Sequence, residues 1–388
     1  MRLLHTSDWH LGRTFHGQNL LADQEAVLTA LADLVVEHRV DAVLISGDLY
    51  DRAVPSPDAV QAASRILSRI GAAGAAVVVI AGNHDSAPRL GAFTDFLAAG
   101  GLHLGTSADT VGTPVVLADG HGDVVVYPVP FLEPDLVRAR WELPVGAGHQ
   151  QVLARAMDRV RADLATRAPG TRSVVLAHAF VVGGLAAGSE RSIAVGGVEA
   201  VAADVFAGID YVALGHLHRC QVVGDRIRYP GSPLPYSFTE ADQQKGVWLV
   251  DLDAAGGVQA TRLDLPVVRR MVSVRGRLAE VLGTDPDLAD AYLAVELTDD
   301  ERPVDPMRRL REVFPRTLVA TWVGGPPGTE PARATGADRP ARPDDADLLL
   351  GFVRDACGRS ASRVERQLLD EASSAARAGV ERGSDEAA

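Results

Sequence analysis

Over the first 265 or so positions, apolar residues gather in short β-branched runs, separated by longer stretches where they recur at helical spacing. The pattern predicts strands at 3–7, 42–46 and 76–81 and helices at 20–38 and 57–70. Such alternation implies βαβ units around a largely parallel sheet. After Thr113 the rhythm changes. Strands are predicted at 114–117, 124–129, 174–177, 211–214, 227–229 and 247–252, with one helix near 150–166. A second sheet packed on the first accounts for that order. The expected class is α/β, a two-sheet sandwich flanked by helices.

Beyond Pro266 the pattern restarts on a smaller scale. Strands at 271–274, 292–297 and 318–323, with helical patterns at 277–282 and 306–314, predict a compact βαβαβ unit. Residues 324–343 are rich in Gly, Pro, Ala and Arg and read as a linker. Asp344 or Asp345 then caps a helical pattern carrying Leu348, Leu349, Phe352, Val353 and Ala356. A second amphipathic stretch carries Val364, Leu368, Leu369 and Ala372, and the last ten residues are polar. The expected division is 1–265, a small α+β domain at 266–323, the linker, and a helical segment at 344–388.

Composition narrows the function classes. A chain of 388 residues, 47% hydrophobic and 23% charged, has room for one large core and a smaller unit. A net charge of −13 argues against a generally basic nucleic-acid surface, though bound cations would invert the charge locally. Two distant cysteines, Cys220 and Cys357, argue against a disulfide framework and for a reducing compartment. The first ten residues include Arg2, His5, Asp8 and His10, unlike a signal peptide, and the apolar run at 71–82 is too short to span a bilayer. The expectation is a cytoplasmic protein without membrane contact. Lys245 is the only lysine, so nearly all the basic charge is arginine, which implies no particular function.

Five short motifs stand where predicted strands end. They are Ser7-Asp8-Trp9-His10, Ser46-Gly47-Asp48, Gly82-Asn83-His84-Asp85, Ala177-His178 and Gly215-His216-Leu217-His218. Ligands of open α/β sheets bind beyond the carboxyl ends of strands, so these loops are expected to converge. Carboxylate, imidazole and amide oxygen without thiolate suit divalent ions such as Mn²⁺ better than structural zinc. In Asp-x-His and His-x-His, residues two apart on an extended segment project to one side. Gly47, Gly82 and Gly215 are expected where the backbone turns sharply and a phosphate approaches. Singly, each motif is weak, and a lone Gly-Asp or His-x-His is usually incidental.

The ordered set resembles the calcineurin-like metallophosphoesterase family, whose pattern D-x-H, GD, GNH(D/E), H, GHxH it matches over about the first 265 residues. The stretches LLHTSDWHLGRTFHG, LISGDLYDRAVPS, GNHDSAPRLG, DYVALGHLHRCQ and YPGSPLPYSFTEADQQKGVWLVDL further resemble the SbcD family, the nuclease subunits of bacterial SbcCD complexes. That resemblance implies one metal on Asp8, His10, Asp48 and His218, and a second on Asp48, Asn83, His178 and His216. Two Mn²⁺ ions are the expected cofactors. It implies His84 as proton donor to the leaving sugar oxygen, with Asp85 in support. Relatives carry a histidine or a carboxylate at the position of Asp51. The implied activity is ATP-assisted double-strand exonuclease and single-strand or hairpin endonuclease action in DNA recombination, replication and repair. The implied partners are DNA ends and hairpins, a second copy of the chain, and the ATPase SbcC in a heterotetramer-type complex. The 266–323 unit is implied to be a capping domain. Leu349, Phe352, Val353 and Leu368 are the candidate SbcC contacts.

Other residues have plainer readings. His5 is expected in the core or behind the site, and His38, His103, His121 and His149 at the surface or in loops. Arg13, Arg52, Arg89 and Arg219 follow four of the five motifs and are candidates for DNA-backbone contacts, as is His16. Solvated loop residues are the alternative. An aromatic content of 5% offers no base-stacking platform, so recognition by shape and phosphate is expected. Two competing functions stand beside the nuclease, a phosphodiesterase of small phosphoesters and a degenerate binding scaffold. Scaffolds lose ligands, and here the set is complete.

Overall fold

The structure, a computed structural model, describes residues 1–183, 185, 190, 200–324, 350, 351, 353, 359–369 and 372. In chain order it opens with strand β1 (Arg2–Thr6), a two-residue hairpin β2 (Thr14–Phe15) and β3 (Gln18–Asn19), helix α1 (Leu21–Glu37) and β4 (Ala42–Ile45). Helix α2 (Pro57–Ala72), β5 (Ala76–Ile80), the short α3 (Ala87–Leu90) and α4 (Thr94–Ala98), and β6 (Leu102–Gly105) follow. Next come β7 (Val115–Asp119), β8 (Gly122–Val129), α5 (Pro134–Val137), α6 (His149–Leu164), β9 (Arg172–His178), β10 (Tyr211–Gly215), β11 (Gln221–Val223) and β12 (Ile227–Tyr229). The hairpin β13 (Gly246–Leu252) and β14 (Val258–Asp264) returns to the first sheet.

The strands form two six-stranded sheets, ordered β14-β13-β1-β4-β5-β6 and β11-β12-β10-β9-β8-β7. The central strands of each run parallel; antiparallel strands close both ends of the second sheet and the β14 end of the first, whose other end, β6, is parallel. Alternation along each strand explains the layers. On β4 and β5, Val43, Ile45, Val77 and Val79 meet α1 and α2, while Leu44, Val78 and Ile80 face the other sheet. There they join Val126, Val174, Leu176 and Tyr211. The outer face of the second sheet packs on α6 through Val125, Val175, Met157 and Val160. Both faces of the central strands are therefore buried, which is why those strands read as continuous apolar runs.

Local signals agree with these elements. Ser56 caps α2 by accepting from the Ala59 N–H at 3.2 Å, and Pro57 occupies the first turn, where a missing N–H costs nothing. Three edge strands, β6, β11 and β14, were not among the sequence expectations. Of the histidines expected at the surface or in loops, His103 lies half-buried in β6, and His149 is buried at the start of α6 beside Phe131.

A third sheet follows, parallel in the order β15 (Met271–Gly276), β16 (Tyr292–Leu297), β17 (Thr317–Trp322). With α7 (Leu278–Leu282) and α8 (Pro306–Val313) it encloses its own core of Leu278, Val281, Leu293, Val295, Leu310 and Phe314. Met271 and Tyr292 pack instead into the core around α1. Asp23 of α1 accepts from Arg269 Nε at 3.1 Å and from the Tyr292 hydroxyl at 2.8 Å.

Contacts divide the chain into Met1–Gly325 and Pro326–Ala388. In the second unit residues 363–369 are helical, opened by a capping box in which Ser362 and Glu365 exchange bonds. Leu368 is exposed and Val353 half-buried, while Leu349 and Phe352 lie outside the described residues. Nearly all of the expected linker lies outside them too. Among the described residues no helix is long and apolar enough to cross a membrane.

Candidate metal centre

The pairing of β1 with β4 continues past the strand ends. The Asp8 N–H donates to Gly47 O at 3.0 Å, His10 N–H to Asp48 O at 2.9 Å and Leu11 N–H to Leu49 O at 3.0 Å. The first two motifs therefore run side by side into the site. The last motif joins them through the His216 N–H, 3.1 Å from Asp8 Oδ1. Four of these residues adopt left-handed backbone, with φ of 54° at Asp8, 46° at His10, 52° at Asp48 and 103° at His216. Such conformations cost about 1–3 kcal/mol each in non-glycine residues and persist only where surroundings impose them.

The motif glycines need a different explanation from the expected one. Only Gly47, at φ 93°, turns the chain in a way that favours glycine. Gly82 and Gly215 have no positive φ. A Cβ on Gly82 would strike Asp48, and one on Gly215 would strike the Ser46 carbonyl. These glycines let neighbouring ligand loops touch each other.

Asp48 stands at the centre. Its Oδ1 accepts the His84 N–H at 2.9 Å. Its Oδ2 lies 3.5 Å from His10 Nε2 on one side and 3.5 Å from His178 Nε2 on the other. His10 Nε2 and His218 Nε2 face each other at 3.1 Å, and His178 Nε2 faces Asn83 Oδ1 at 2.9 Å. Three ligand triads lie within coordinating reach: Asp8, His10 and His218; His10, Asp48 and His84; and Asp8, Asp48 and His178. His216 belongs to none of these. Its ring lies 5.3 Å from that of His178, and its N–H fixes Asp8.

This donor set fits divalent cations. His178 Nδ1 lies 2.9 Å from the Ser46 carbonyl, which can only accept, so Nδ1 carries the proton. The Nε2 lone pair of the neutral ring then points at Asn83 Oδ1, placing two acceptors in contact, while Asn83 Nδ2 is buried without a partner. Adjacent oxygen and nitrogen ligands on one ion, each about 2.1 Å from it, stand roughly 3 Å apart. Burial, then neighbouring rings, holds His10 and His216 well below the ordinary imidazole range, and burial lowers His178. Neutral imidazoles are what metal ligation requires. Burial, then the charge of Asp48, raises Asp8 well above the carboxylate range, a shift that a bound cation would reverse.

His84 differs from the other rings. It is only half-buried, and its Nδ1 is bonded to the Asp51 carbonyl at 2.9 Å, so Nε2 is the nitrogen left for substrate. Asp85 does not touch that ring. It accepts backbone N–H bonds from Leu49 at 3.1 Å, Tyr50 at 3.0 Å and Gly82 at 2.9 Å, tying the Asp48 and Asn83 loops together. Burial and then Asp48 raise Asp85 to about 7, against the pull of those donors. The Asp51 carboxylate lies 3.6 Å from His10 Nδ1 and 3.3 Å from Arg13 Nη1. Arg13 thus turns inward and also covers the Tyr236 ring. Arg52, Arg89, Arg219 and His16 are exposed, with Arg52 beside Asp51 and Arg89 donating to the Ala53 carbonyl.

Sequence reasoning missed the layer behind the ligands. Gln24 on α1 is fully buried. Its Nε2 donates to the carbonyls of Trp9 at 3.0 Å and His10 at 2.7 Å, and its Oε1 accepts the Gly12 N–H at 3.0 Å. The Tyr236 hydroxyl donates to Trp9 O at 2.5 Å. Lys245 and Glu240 are buried beside His218. The available signal was a single lysine in an arginine-rich chain. His5 lies where expected, between the sheets, bonded to the Tyr211 hydroxyl at 2.8 Å.

A family model described as calcineurin-like phosphoesterase matches residues 1–220. A second, SbcD_C, described as type 5 capsule protein repressor C-terminal domain, matches residues 267–323. Among solved structures, the crystal structure of TT1561 of Thermus thermophilus is similar at 15% identity, over 67% of this chain and 98% of that one, with a TM-score of 0.39.

Proposed function

The chain belongs to the calcineurin-like phosphoesterase family, and we propose that it is a two-metal DNA nuclease of the SbcD type. Phosphoester hydrolysis with divalent metals is the family's chemistry. The observation that carries the two-metal reading is Asp48 Oδ2, equidistant from His10 Nε2 and His178 Nε2 at 3.5 Å. Asp8, His10 and His218 would hold one ion and Asn83, His178 and His216 the other, with Asp48 shared. Two such ions, when bound, bind phosphate oxygens, activate a water and stabilise charge in an in-line displacement. His84 does what the ligands do not. Anchored through Nδ1, it offers Nε2 to the departing sugar oxygen and gives it a proton. Asp85 keeps the two loops that carry Asp48 and His84 in register.

Manganese is the proposed metal, since oxygen and imidazole donors without thiolate suit it. The DNA substrate is supported by the SbcD_C match in the same chain. In this reading the unit at 266–323 caps the site and positions DNA, while Arg52, Arg89, Arg219 and His16 meet its backbone. The 324–343 stretch is a linker. The 344–388 segment, through Leu349, Phe352, Val353 and Leu368, docks on an SbcC-type ATPase in the cytoplasm. A second copy of the chain is the other proposed protein partner.

The test offers the Mn²⁺-loaded chain end-blocked and hairpin duplexes, with and without SbcC, beside bis-p-nitrophenyl phosphate. Metal-dependent DNA cleavage is expected, abolished by chelation. Hydrolysis of the small ester with no DNA cleavage under either condition would replace this reading with a small-phosphoester phosphodiesterase.

A further inference from the structure

We infer that Glu240 and Lys245 form a positioning pair that sets His218 for one of the two metal positions and leaves the other untouched. The inference rests on the two-metal reading and goes beyond it, assigning a role to two residues outside all five motifs.

Lys245 is 6% exposed and Glu240 is fully buried. Lys245 Nζ lies 2.6 Å from Glu240 Oε2, 2.8 Å from the His218 carbonyl, 3.1 Å from Ser232 Oγ and 3.3 Å from Gln243 Oε1. A buried ammonium persists only when paired and hydrogen-bonded, and here its acceptors outnumber its protons. Glu240 Oε1, the oxygen not engaged by Lys245, stands 3.9 Å from His218 Nδ1.

His218 is thus gripped on every side but one. Its N–H donates to Glu190 at 2.9 Å, and its carbonyl accepts from Lys245 and from the Ser232 N–H at 3.2 Å. Nδ1 faces Glu240, and Nε2 faces His10 across the site. A carboxylate behind a ligating imidazole fixes its tautomer and direction and strengthens it as a donor. The ammonium, in turn, fixes the carboxylate. His178 has no such dependence, because the Ser46 main-chain carbonyl holds its Nδ1.

A pair that merely stabilised the turn between His218 and Ser232 would leave metal binding alone. The experiment titrates Mn²⁺ into the metal-free full chain by calorimetry and follows the spin-coupled Mn–Mn signal by electron paramagnetic resonance. The variants are Glu240→Gln and the double variant Glu240→Gln/Lys245→Met, which removes both charges. The expected result is two sites in the parent. In each variant one site weakens roughly 10–100-fold and the other stays within about twofold, with loss of the coupled signal at Mn²⁺ levels that still fill one site. Circular dichroism confirms folding, and Glu240→Asp, which keeps the charge but shortens the reach, serves if either variant fails to fold. Both sites unchanged, or both weakened alike, would overturn the inference. A parent chain binding fewer than two Mn²⁺ would instead remove the two-metal reading beneath it.

Discussion

The two sides of Asp48 are held by different means. On the His178 side the grip is main chain: the Ser46 carbonyl holds the imidazole, and Gly82 and Gly215 let bare backbone close against the neighbouring loops. On the His10 and His218 side, side chains add to the main-chain pairing: Gln24 clamps the Asp8–Gly12 loop, Asp51 faces His10, and Glu240 faces His218. A main-chain grip cannot be tuned by replacing a side chain, only broken by adding one. A side-chain grip can be altered one bond at a time. The first side should therefore fail abruptly and the second by degrees.

The largest effect is expected at His84, which neither side uses as a ligand in this account. His84→Ser is expected to keep both metals while DNA cleavage falls by roughly 10²–10⁴-fold. Metal analysis showing a lost ion would place His84 among the ligands and blur the comparison. Next comes the main-chain side. Gly82→Ala drives a methyl against Asp48 and is expected to lower hydrolysis of bis-p-nitrophenyl phosphate by at least about 10²-fold, because displacing Asp48 disturbs both metals. Near-normal turnover in a folded Gly82→Ala chain would show that the loops do not need that contact.

This division explains what the sequence could and could not reveal. The candidate ligands were legible because each follows an apolar run and strand ends converge. The central strands were legible because both faces are buried. Edge strands such as β14 were not, since VQATRLD buries little on either face and resembles a loop. Gln24 sits among the apolar positions of α1, and nothing local reveals that three backbone groups of another loop will meet it there. Glu240 was equally silent and Lys245 showed only its rarity, because burial of a charged pair depends on residues 13 to 27 positions away. Gly47 was noticed for the right reason, Gly82 and Gly215 for the wrong one. Loop-to-loop contact is a tertiary fact, whereas a turn is a local one.

On the side-chain side smaller, graded effects are expected. Gln24→Ala takes the Gly12 N–H's acceptor and one donor each from the Trp9 and His10 carbonyls, which keep Tyr236 and the Arg13 N–H, at a cost of about 1–3 kcal/mol by urea denaturation. Mn²⁺ affinity should weaken at one site only. Equal weakening at both sites would mean that the loop is not a one-sided support. A milder effect comes from behind both sides. Burial depresses His5 to about 3, so the unfolded chain takes up its proton first as pH falls below about 6.5. Stability should therefore drop between pH 6.5 and 3, with His5 contributing about 2 kcal/mol by pH 5. Comparing His5→Gln with the parent at pH 7 and pH 5 isolates the term. Parallel losses in the two proteins would place the acid sensitivity elsewhere.

Whether Asp48 stands between two metals held by unlike supports is read directly by anomalous scattering from Mn²⁺-soaked crystals. Two manganese peaks are expected to flank the Asp48 carboxylate, one against Asp8, His10 and His218 and the other against Asn83, His178 and His216. A single peak, or a pair that does not share Asp48, would contradict that arrangement.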